Sequence, residues 1–183
     1  QGHPNMNYVT GVDMSTGSLG QGISCAVGMA LANKVQKNDH RIYTLLGDGE
    51  CEEGQVWEAA MAAAHYQLDN LCAVVDFNGL QIDGDITKVM NPTPIDKKFE
   101  AFGWHVIDID GHDYEAIEKA FEEARATKGQ PTMILAHTIK GKGGMAWQCA
   151  KCRTVRAGNR RIGRRIRWAR QQQEKRTAKR WQS

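Results

Sequence analysis

The chain has 183 residues, 41 % of them apolar, which suits one domain with a real hydrophobic core. No apolar run approaches the ~18 residues that a membrane-spanning helix needs, and the first residues lack the basic and apolar stretches of a signal peptide. The net charge of +3 hides an asymmetry, because residues 149–183 hold 13 of the 24 Lys and Arg, whereas residues 1–148 have a net charge of −9. The sequence therefore divides into an acidic body and a basic tail.

The apolar periodicity predicts four helices and four strands. In chain order they are a helix over residues 18–37, a strand over 41–46, a helix over 53–66, a strand over 71–76, a short helix over 95–102, a strand over 104–109, a helix over 114–127 and a strand over 131–138. Ser18 is the predicted cap of the first helix, whose apolar stripe runs from Ile23 to Val35, and the first two strands are predicted to be buried. This alternation predicts an α/β fold, a doubly wound parallel sheet with helices on both faces.

Five cysteines, at positions 25, 51, 72, 149 and 152, bear on the cellular compartment. The number is odd, and three of the five lie in apolar or helical surroundings, so we predict a reduced, cytoplasmic protein without a disulfide framework. Cys149 and Cys152 have the spacing of half a zinc site, but a structural zinc needs four ligands and no second pair follows. We therefore interpret these two as incidental thiols.

Polar residues follow two of the predicted strands. Gly47, Asp48 and Gly49 come directly after the first strand, and Asn78 and Gly79 come after the second. In a doubly wound sheet ligands bind at the carboxyl ends of the strands. A carboxylate, an amide oxygen and a main-chain carbonyl are the hard ligands that Mg²⁺ or Ca²⁺ prefers. Each segment alone is an ordinary turn signal, but together they predict one wall of a site for a divalent metal and a phosphate group.

A segment of small residues, 16–22, opens the first predicted helix. Small residues at a helix N-terminus expose main-chain N–H groups and suit the approach of a phosphate. The segment is not the dinucleotide fingerprint, because no strand runs directly into it and its glycines are spaced differently. A packing role for Gly20 and Gly22 is an equal alternative.

Taken together, these segments resemble the thiamine diphosphate enzymes, and transketolase in particular. The motifs that carry the resemblance are Gly2-His3-Pro4, residues 15–22, Gly47-Asp48-Gly49 with Glu53-Gly54, Asp69-Asn70-Leu71, residues 76–84, Phe102-Gly103-Trp104, residues 110–113 and residues 140–143. The sequence of these motifs is most similar to that of the shorter bacterial form, which is split into an N-terminal and a C-terminal subunit. The resemblance implies a thiamine diphosphate-binding fold, its diphosphate-binding domain, over residues 1–143, followed by a divergent basic tail over 144–183.

The resemblance also implies a role for each matching residue. Asp48, the Asn78 side chain and the main-chain oxygen of Leu80 would bind the metal, and Gly49, next to Gly47, would contact the diphosphate. Gly17, Ser18 and Leu19 would lie beside the cofactor rings, and Asp83 would lie on the thiazolium side. His3 would face the reacting carbons of the donor substrate. Glu53 would lie at a dimer interface that links two active sites. Without the resemblance, His3 and Glu53 would be read as solvated side chains.

A partner chain is a further implication of the resemblance. The glutamate that activates the cofactor lies on a pyrimidine-binding domain, which the C-terminal subunit would contribute in a dimer or heterotetramer. With that partner, the chain would move a two-carbon ketol unit between ketose and aldose phosphates, as in the pentose phosphate pathway. Without it, we expect no activity. Partners of other kinds are not expected, neither a membrane nor nucleic acid.

The tail departs from the family pattern after Gly143. Family members continue with a Trp-His-Gly-Lys-x-Pro segment, whereas here Trp147 is followed by Gln148 and an Arg-rich stretch. A shifted reading frame is one hypothesis, and the nucleotide sequence around Trp147 tests it. The Arg-rich stretch is able to neutralise the phosphates of a nucleic acid. We favour a solvated, disordered tail, because the rest of the chain is acidic and offers no basic surface that would continue it.

Two alternative functions stay open at this point, beside a nucleic-acid-binding module that rests on the tail alone. One is another thiamine diphosphate enzyme, such as a deoxyxylulose phosphate synthase, which shares the metal motif but differs from residues 53–58 and 81–84. The other is a non-catalytic truncated or frame-shifted fragment, which the missing tail histidine favours.

Overall fold

The computed structural model describes residues 3–81 and 84–142, and all the structural statements concern these residues. The strands are β1 (Ile42–Gly47), β2 (Leu71–Phe77), β3 (Leu80–Gln81), β4 (Gly84–Asp85), β5 (His105–Asp110) and β6 (Thr132–His137). The α-helices are α1 (Gln21–Gln36), α2 (Gly54–His65), α3 (Ile86–Val89), α4 (Ile95–Ala101) and α5 (Tyr114–Ala126), and a 3₁₀ helix covers Gly49–Glu52. Each of the eight predicted elements is present, with ends within three residues of the prediction.

Four parallel strands form the central sheet in the order β1-β2-β6-β5. The register places Gly47 opposite Asp76 and Phe77 opposite His137, so β1, β2 and β6 end at the same edge. The strands alternate with helices along the chain, and parallel neighbours require such crossovers. The predicted parallel α/β fold is confirmed.

Helices cover the sheet on both faces, which gives two hydrophobic clusters. The larger cluster packs α1, α2 and α4 against one face and includes Ile23, Leu46, Val56, Val75, Phe99, Met133 and Leu135. The smaller cluster packs α5 against the other face through Ala120 and Ala124, which meet Cys72 and Ile134. Because β2 and β6 are covered on both sides, their side chains are buried almost continuously, as expected for central parallel strands.

Three details of the sequence prediction were wrong. Helix α1 begins at Gln21 after Gly20, whose φ of 80° is left-handed, and the structure shows no side-chain cap, so Ser18 is not the cap. Val35, which was assigned to the apolar stripe, is 75 % exposed in the last turn of α1. Strand β1 is buried on one face only, because it lies at the edge of the sheet and α5 packs mainly over the other strands. Tyr43 and Leu45 are therefore exposed on the other face of β1.

A short hairpin and one helical turn between β2 and α4 were not predicted. Strands β3 and β4 are two residues each and pair antiparallel, with Leu80 opposite Asp85. Helix α3 follows at once, and Asp85 accepts a hydrogen bond from the Thr87 N–H at its start. Elements of two to four residues are too short to produce a hydrophobic period. This segment folds beside the end of β2, where the candidate site lies.

Two buried thiols give a test of the packing. Burial raises the pKa of Cys51 to about 12 and the pKa of Cys72 to about 11. Thiolate is the reactive form, and both side chains are inaccessible, so we expect neither to react with iodoacetamide in the native protein at pH 8. Peptide mass spectrometry after alkylation, with and without urea, measures this. Equal labelling of Cys51 in the two conditions would show that the packing around the 3₁₀ helix is wrong.

Across the described residues, no helix is both long and apolar enough to span a membrane.

Candidate functional site

The Asp48 carboxylate joins the ends of two neighbouring strands. Asp48 follows β1 and is only 2 % exposed. One of its carboxylate oxygens, Oδ1, accepts a hydrogen bond from the Gly49 N–H at 2.8 Å, and the other, Oδ2, accepts one from the Gly79 N–H at 2.5 Å. The Asp48 N–H in turn donates to the main-chain oxygen of Asp76 at 3.3 Å. The two turns that the sequence predicted to be neighbours are therefore in direct contact.

Burial raises the pKa of Asp48, because the charged form loses its hydration. The main-chain N–H groups of Gly79, Gly49 and Asn78 oppose this shift, and the negative charge of Asp76 adds to it. A cation bound next to the carboxylate would stabilise its charged form in these surroundings. The observation fits a bound divalent metal.

The Asn78 amide has a fixed orientation. Its Nδ2 donates to the Asp76 carboxylate at 3.2 Å, and its Oδ1 accepts from the Leu80 N–H at 3.1 Å. The other carboxylate oxygen of Asp76 accepts a short hydrogen bond from the Thr138 hydroxyl, at the end of β6. Asp76 therefore holds the amide so that its oxygen lies on the side of Leu80.

The donor set at this edge consists of hard oxygen atoms. The predicted ligands are the Asp48 carboxylate, the Asn78 amide oxygen and the main-chain carbonyl of Leu80, which would suit Mg²⁺ or Ca²⁺ rather than a soft metal. Within residues 3–81 and 84–142, nowhere do three or more His, Cys, Asp or Glu side chains form a group that suits a metal ion. A cation at this edge would therefore depend on the amide and carbonyl oxygens as well as on Asp48.

A cleft of about 830 Å³ lies next to this edge. It is lined by five of the residues that the sequence singled out, which are His3, Gly17, Ser18, Leu19 and Gly47, and also by Glu50 and Asp76. The His3 ring lies against Gly17, since a Cβ atom built on Gly17 would be 2.6 Å from His3 Cδ2. The structure therefore brings the predicted ring-side residues together in one cleft.

Glu53 lies beside the start of α1 but outside this cleft lining. It is exposed, it occupies the N-terminal cap position of α2, and its side chain makes no capping hydrogen bond. Its Cβ would be 3.1 Å from a Cβ atom built on Gly20, so Gly20 is needed for this close approach. The packing role that the sequence left open for Gly20 is thus observed. Asp83, the remaining predicted site residue, lies outside the described residues.

Sequence reasoning assigned no role to three residues of this edge. Asp76 and Thr138 were predicted only as the last residues of two strands. A polar side chain at the end of a parallel strand is the feature that could have indicated a role in the site. Glu50 gave no signal, because its partner Gly20 lies 30 residues away. Its carboxylate accepts from the Gly20 N–H at 2.9 Å and from the Gly47 N–H at 3.1 Å.

An oxygen-rich edge at the strand ends, beside a cleft at a glycine-rich helix start, is the arrangement expected of an α/β domain that binds a ligand at its strand ends. A family model described as "Transketolase, thiamine diphosphate binding domain" matches residues 1–157. The chain belongs to this family. The match extends past residue 143, where the sequence predicted the domain to end; that boundary stays a prediction.

Individual relatives agree with the family assignment. The chain is 54 % identical over 142 residues to the 6-deoxy-6-sulfo-D-fructose transketolase subunit SqwG of a Clostridium species, covering 77 % of this chain and 51 % of that protein. It is 44 % identical to an apulose-4-phosphate transketolase subunit of Phocaeicola vulgatus, covering 78 % and 50 %. The chain thus spans about half the length of these curated relatives.

Solved transketolases have the same fold. The crystal structure of the Campylobacter jejuni enzyme superposes with a TM-score of 0.67 at 42 % identity, covering 73 % of this chain and 22 % of that one. Transketolase from Leishmania mexicana gives a TM-score of 0.63 at 40 % identity, covering 70 % and 21 %.

Proposed function

We propose that the chain is the diphosphate-binding part of a transketolase, which transfers a two-carbon ketol unit from a ketose phosphate to an aldose phosphate. The observation that carries the proposal is the direct contact between Asp48 and the Asn78-Gly79 turn at two adjacent strand ends. The named relatives act on different sugars, so the proposal is limited to the type of transfer. The free thiols of Cys25, Cys51 and Cys72 fit a cytoplasmic location.

The edge of the sheet would hold the metal and the diphosphate. Asp48, Asn78 Oδ1 and the Leu80 carbonyl provide three oxygen ligands for Mg²⁺ or Ca²⁺, and the diphosphate completes the coordination. The Gly49 N–H, which donates to Asp48 Oδ1 at 2.8 Å, would be shared with the diphosphate.

The cleft would hold the cofactor rings and the substrate carbons. Thiamine diphosphate, when bound, supplies the carbon that stabilises the transferred unit as a carbanion equivalent. Gly17, Ser18 and Leu19 would lie beside the rings, with Asp83 on the thiazolium side, and Leu19 is 54 % exposed and available for this contact. His3 lies over Gly17 at the cleft, where it would face the donor.

A partner chain would complete the site. The relatives named as transketolase subunits, and the half-length match to them, support a second subunit that carries the pyrimidine-binding domain. Glu53, exposed at the start of α2, is suited to an interface between chains. A dimer or heterotetramer of the two subunits would then form the complete enzyme.

Calorimetric titration of thiamine diphosphate tests the proposal. We expect binding that requires Mg²⁺ and becomes tighter when a chain with the pyrimidine-binding domain is present. The comparison uses four conditions, with and without metal and with and without partner. Absence of binding in all four, or binding that is independent of metal, would contradict the proposed function.

Asp76→Ala tests the orientation of the Asn78 amide. Removing the Asp76 carboxylate frees the amide to rotate, so we expect Mg²⁺-dependent binding to weaken by roughly 10- to 100-fold, the usual effect of losing a group that orients a metal ligand. Metal titration at fixed thiamine diphosphate measures the change. Asp108→Ala, which removes a carboxylate paired with His137 on a neighbouring strand, is the control and should bind like the unmodified chain. Equal affinity in Asp76→Ala would show that Asn78 needs no such support.

A further inference from the structure

Glu50 joins two segments that are far apart in sequence. Its Oε2 accepts the Gly47 N–H at 3.1 Å and its Oε1 accepts the Gly20 N–H at 2.9 Å. Gly47 is the last residue of β1, and Gly20 is the cap residue of α1. The side chain is half-buried in the cleft lining, and both carboxylate oxygens are used by main-chain donors.

The carboxylate also contacts the cap residue at the N-terminal end of α1. A helix N-terminus attracts an anion because its first N–H groups are unpaired and the helix dipole is positive there. In this protein the anion is the chain's own Glu50, which accepts from Gly20. The Gly20 N–H is thus already bonded to Glu50, whereas the expectation that the start of α1 suits a phosphate stays a prediction.

We propose that Glu50 is a positioning residue that sets the distance between the two halves of the cofactor site. One half is the ring segment, residues 17–20, and the other is the diphosphate turn, residues 47–49. Thiamine diphosphate must contact both halves at once, so any change in their separation weakens its binding. The proposal rests on the proposed function, because the contacts of the two halves with the cofactor are part of it.

A second contact between helices provides a control. Gln55, in the first turn of α2, accepts from the Gln21 amide at 2.6 Å and donates to Ser24 Oγ at 2.9 Å. This contact ties α1 to α2, but it does not reach the diphosphate turn. Gln55→Ala therefore removes hydrogen bonds from the same end of α1 and leaves the contacts of Glu50 in place.

Glu50→Gln is the informative substitution. The amide keeps the size of the side chain but offers one oxygen acceptor in place of two, and its NH₂ group faces a main-chain donor. One of the two N–H groups, of Gly20 or Gly47, then loses its partner. Hydrogen exchange of the cofactor-free chain, followed by mass spectrometry, is expected to become about tenfold faster in residues 17–22 or 47–49. Gln55→Ala should leave exchange in residues 47–49 unchanged.

Two ligands separate positioning from general damage to the site. Inorganic pyrophosphate with Mg²⁺ needs only the diphosphate turn, whereas thiamine diphosphate with Mg²⁺ needs both halves. In Glu50→Gln, measured in the full chain or its complex with the partner, we expect thiamine diphosphate to bind about tenfold more weakly and pyrophosphate to bind as well as before or better. Gln55→Ala should change the ratio of the two affinities by less than twofold.

The outcomes distinguish this proposal from the proposed function. Equal weakening of both ligands, or unchanged exchange together with unchanged affinities, would overturn the positioning role of Glu50. If the unmodified chain and its complex bind neither ligand, the proposed function fails, and hydrogen exchange still decides whether Glu50 holds the two segments together. Faster exchange with a selective loss of thiamine diphosphate supports both.

Discussion

Asp48→Asn is expected to weaken Mg²⁺-dependent binding of thiamine diphosphate by roughly a hundredfold or more, since it removes the charged metal ligand itself. The asparagine side chain keeps the shape but has one acceptor oxygen in place of two, so either the Gly49 or the Gly79 N–H loses its partner and a smaller loss of stability should accompany the loss of metal binding. Asp48→Ala should show the same loss of binding. It should also destabilise the chain by about 2–4 kcal/mol, because the N–H groups of Gly49 and Gly79 both lose their acceptor.

Asp110→Ala is the matched control for these variants. Asp110 also ends a parallel strand and accepts a main-chain hydrogen bond, from His112 at 2.8 Å, but β5 lies at the opposite side of the sheet from β1. Calorimetry for binding and thermal unfolding for stability are measured on all three variants. Full Mg²⁺-dependent binding by Asp48→Asn would remove Asp48 from the metal site.

The second large effect concerns the partner. The chain alone is expected to give no detectable ketol transfer between sugar phosphates, and addition of a chain with the pyrimidine-binding domain should restore it. The reason is that the resemblance to transketolases implies an activating glutamate on the pyrimidine-binding domain, which we propose that the partner contributes. A coupled assay that follows the aldose phosphate released from the donor measures the rate.

The restoration must depend on this chain's own site. Mixing the partner with Asp48→Asn should give no activity, whereas mixing it with Asp110→Ala should give full activity. Turnover by the purified chain without any partner would contradict the account. Failure of every mixture despite tight cofactor binding would favour the non-catalytic alternative.

Much of the fold was predictable because its signals are local. Strand β2 is an apolar run up to Asp76, one residue before the strand ends at Phe77, and α5 has an Asp113 cap and an amphipathic pattern. Adjacent parallel strands end at one edge, so the approach of Asp48 to Asn78 followed from the order of elements alone. The topology of the sheet therefore determines this contact.

The remaining features depend on tertiary packing that no local pattern encodes. The open face of β1, with Tyr43 and Leu45 exposed, follows from the position of α5 over the other strands. The contact between Glu50 and Gly20 depends on where α1 begins, which the sequence placed two to three residues too early. The orientation of Asn78 depends on Asp76 and on Thr138, which directly follows a third strand, β6.

A crystal structure of the chain with its partner, thiamine diphosphate and Ca²⁺ tests the central claim most directly. We predict one cation within about 2.3–2.6 Å of the Asp48 carboxylate, Asn78 Oδ1 and the Leu80 carbonyl, with the diphosphate next to Gly49. The cofactor rings should lie in the cleft beside residues 17–19. A cation bound elsewhere, or a diphosphate held without contact to Asp48 and Asn78, would contradict it.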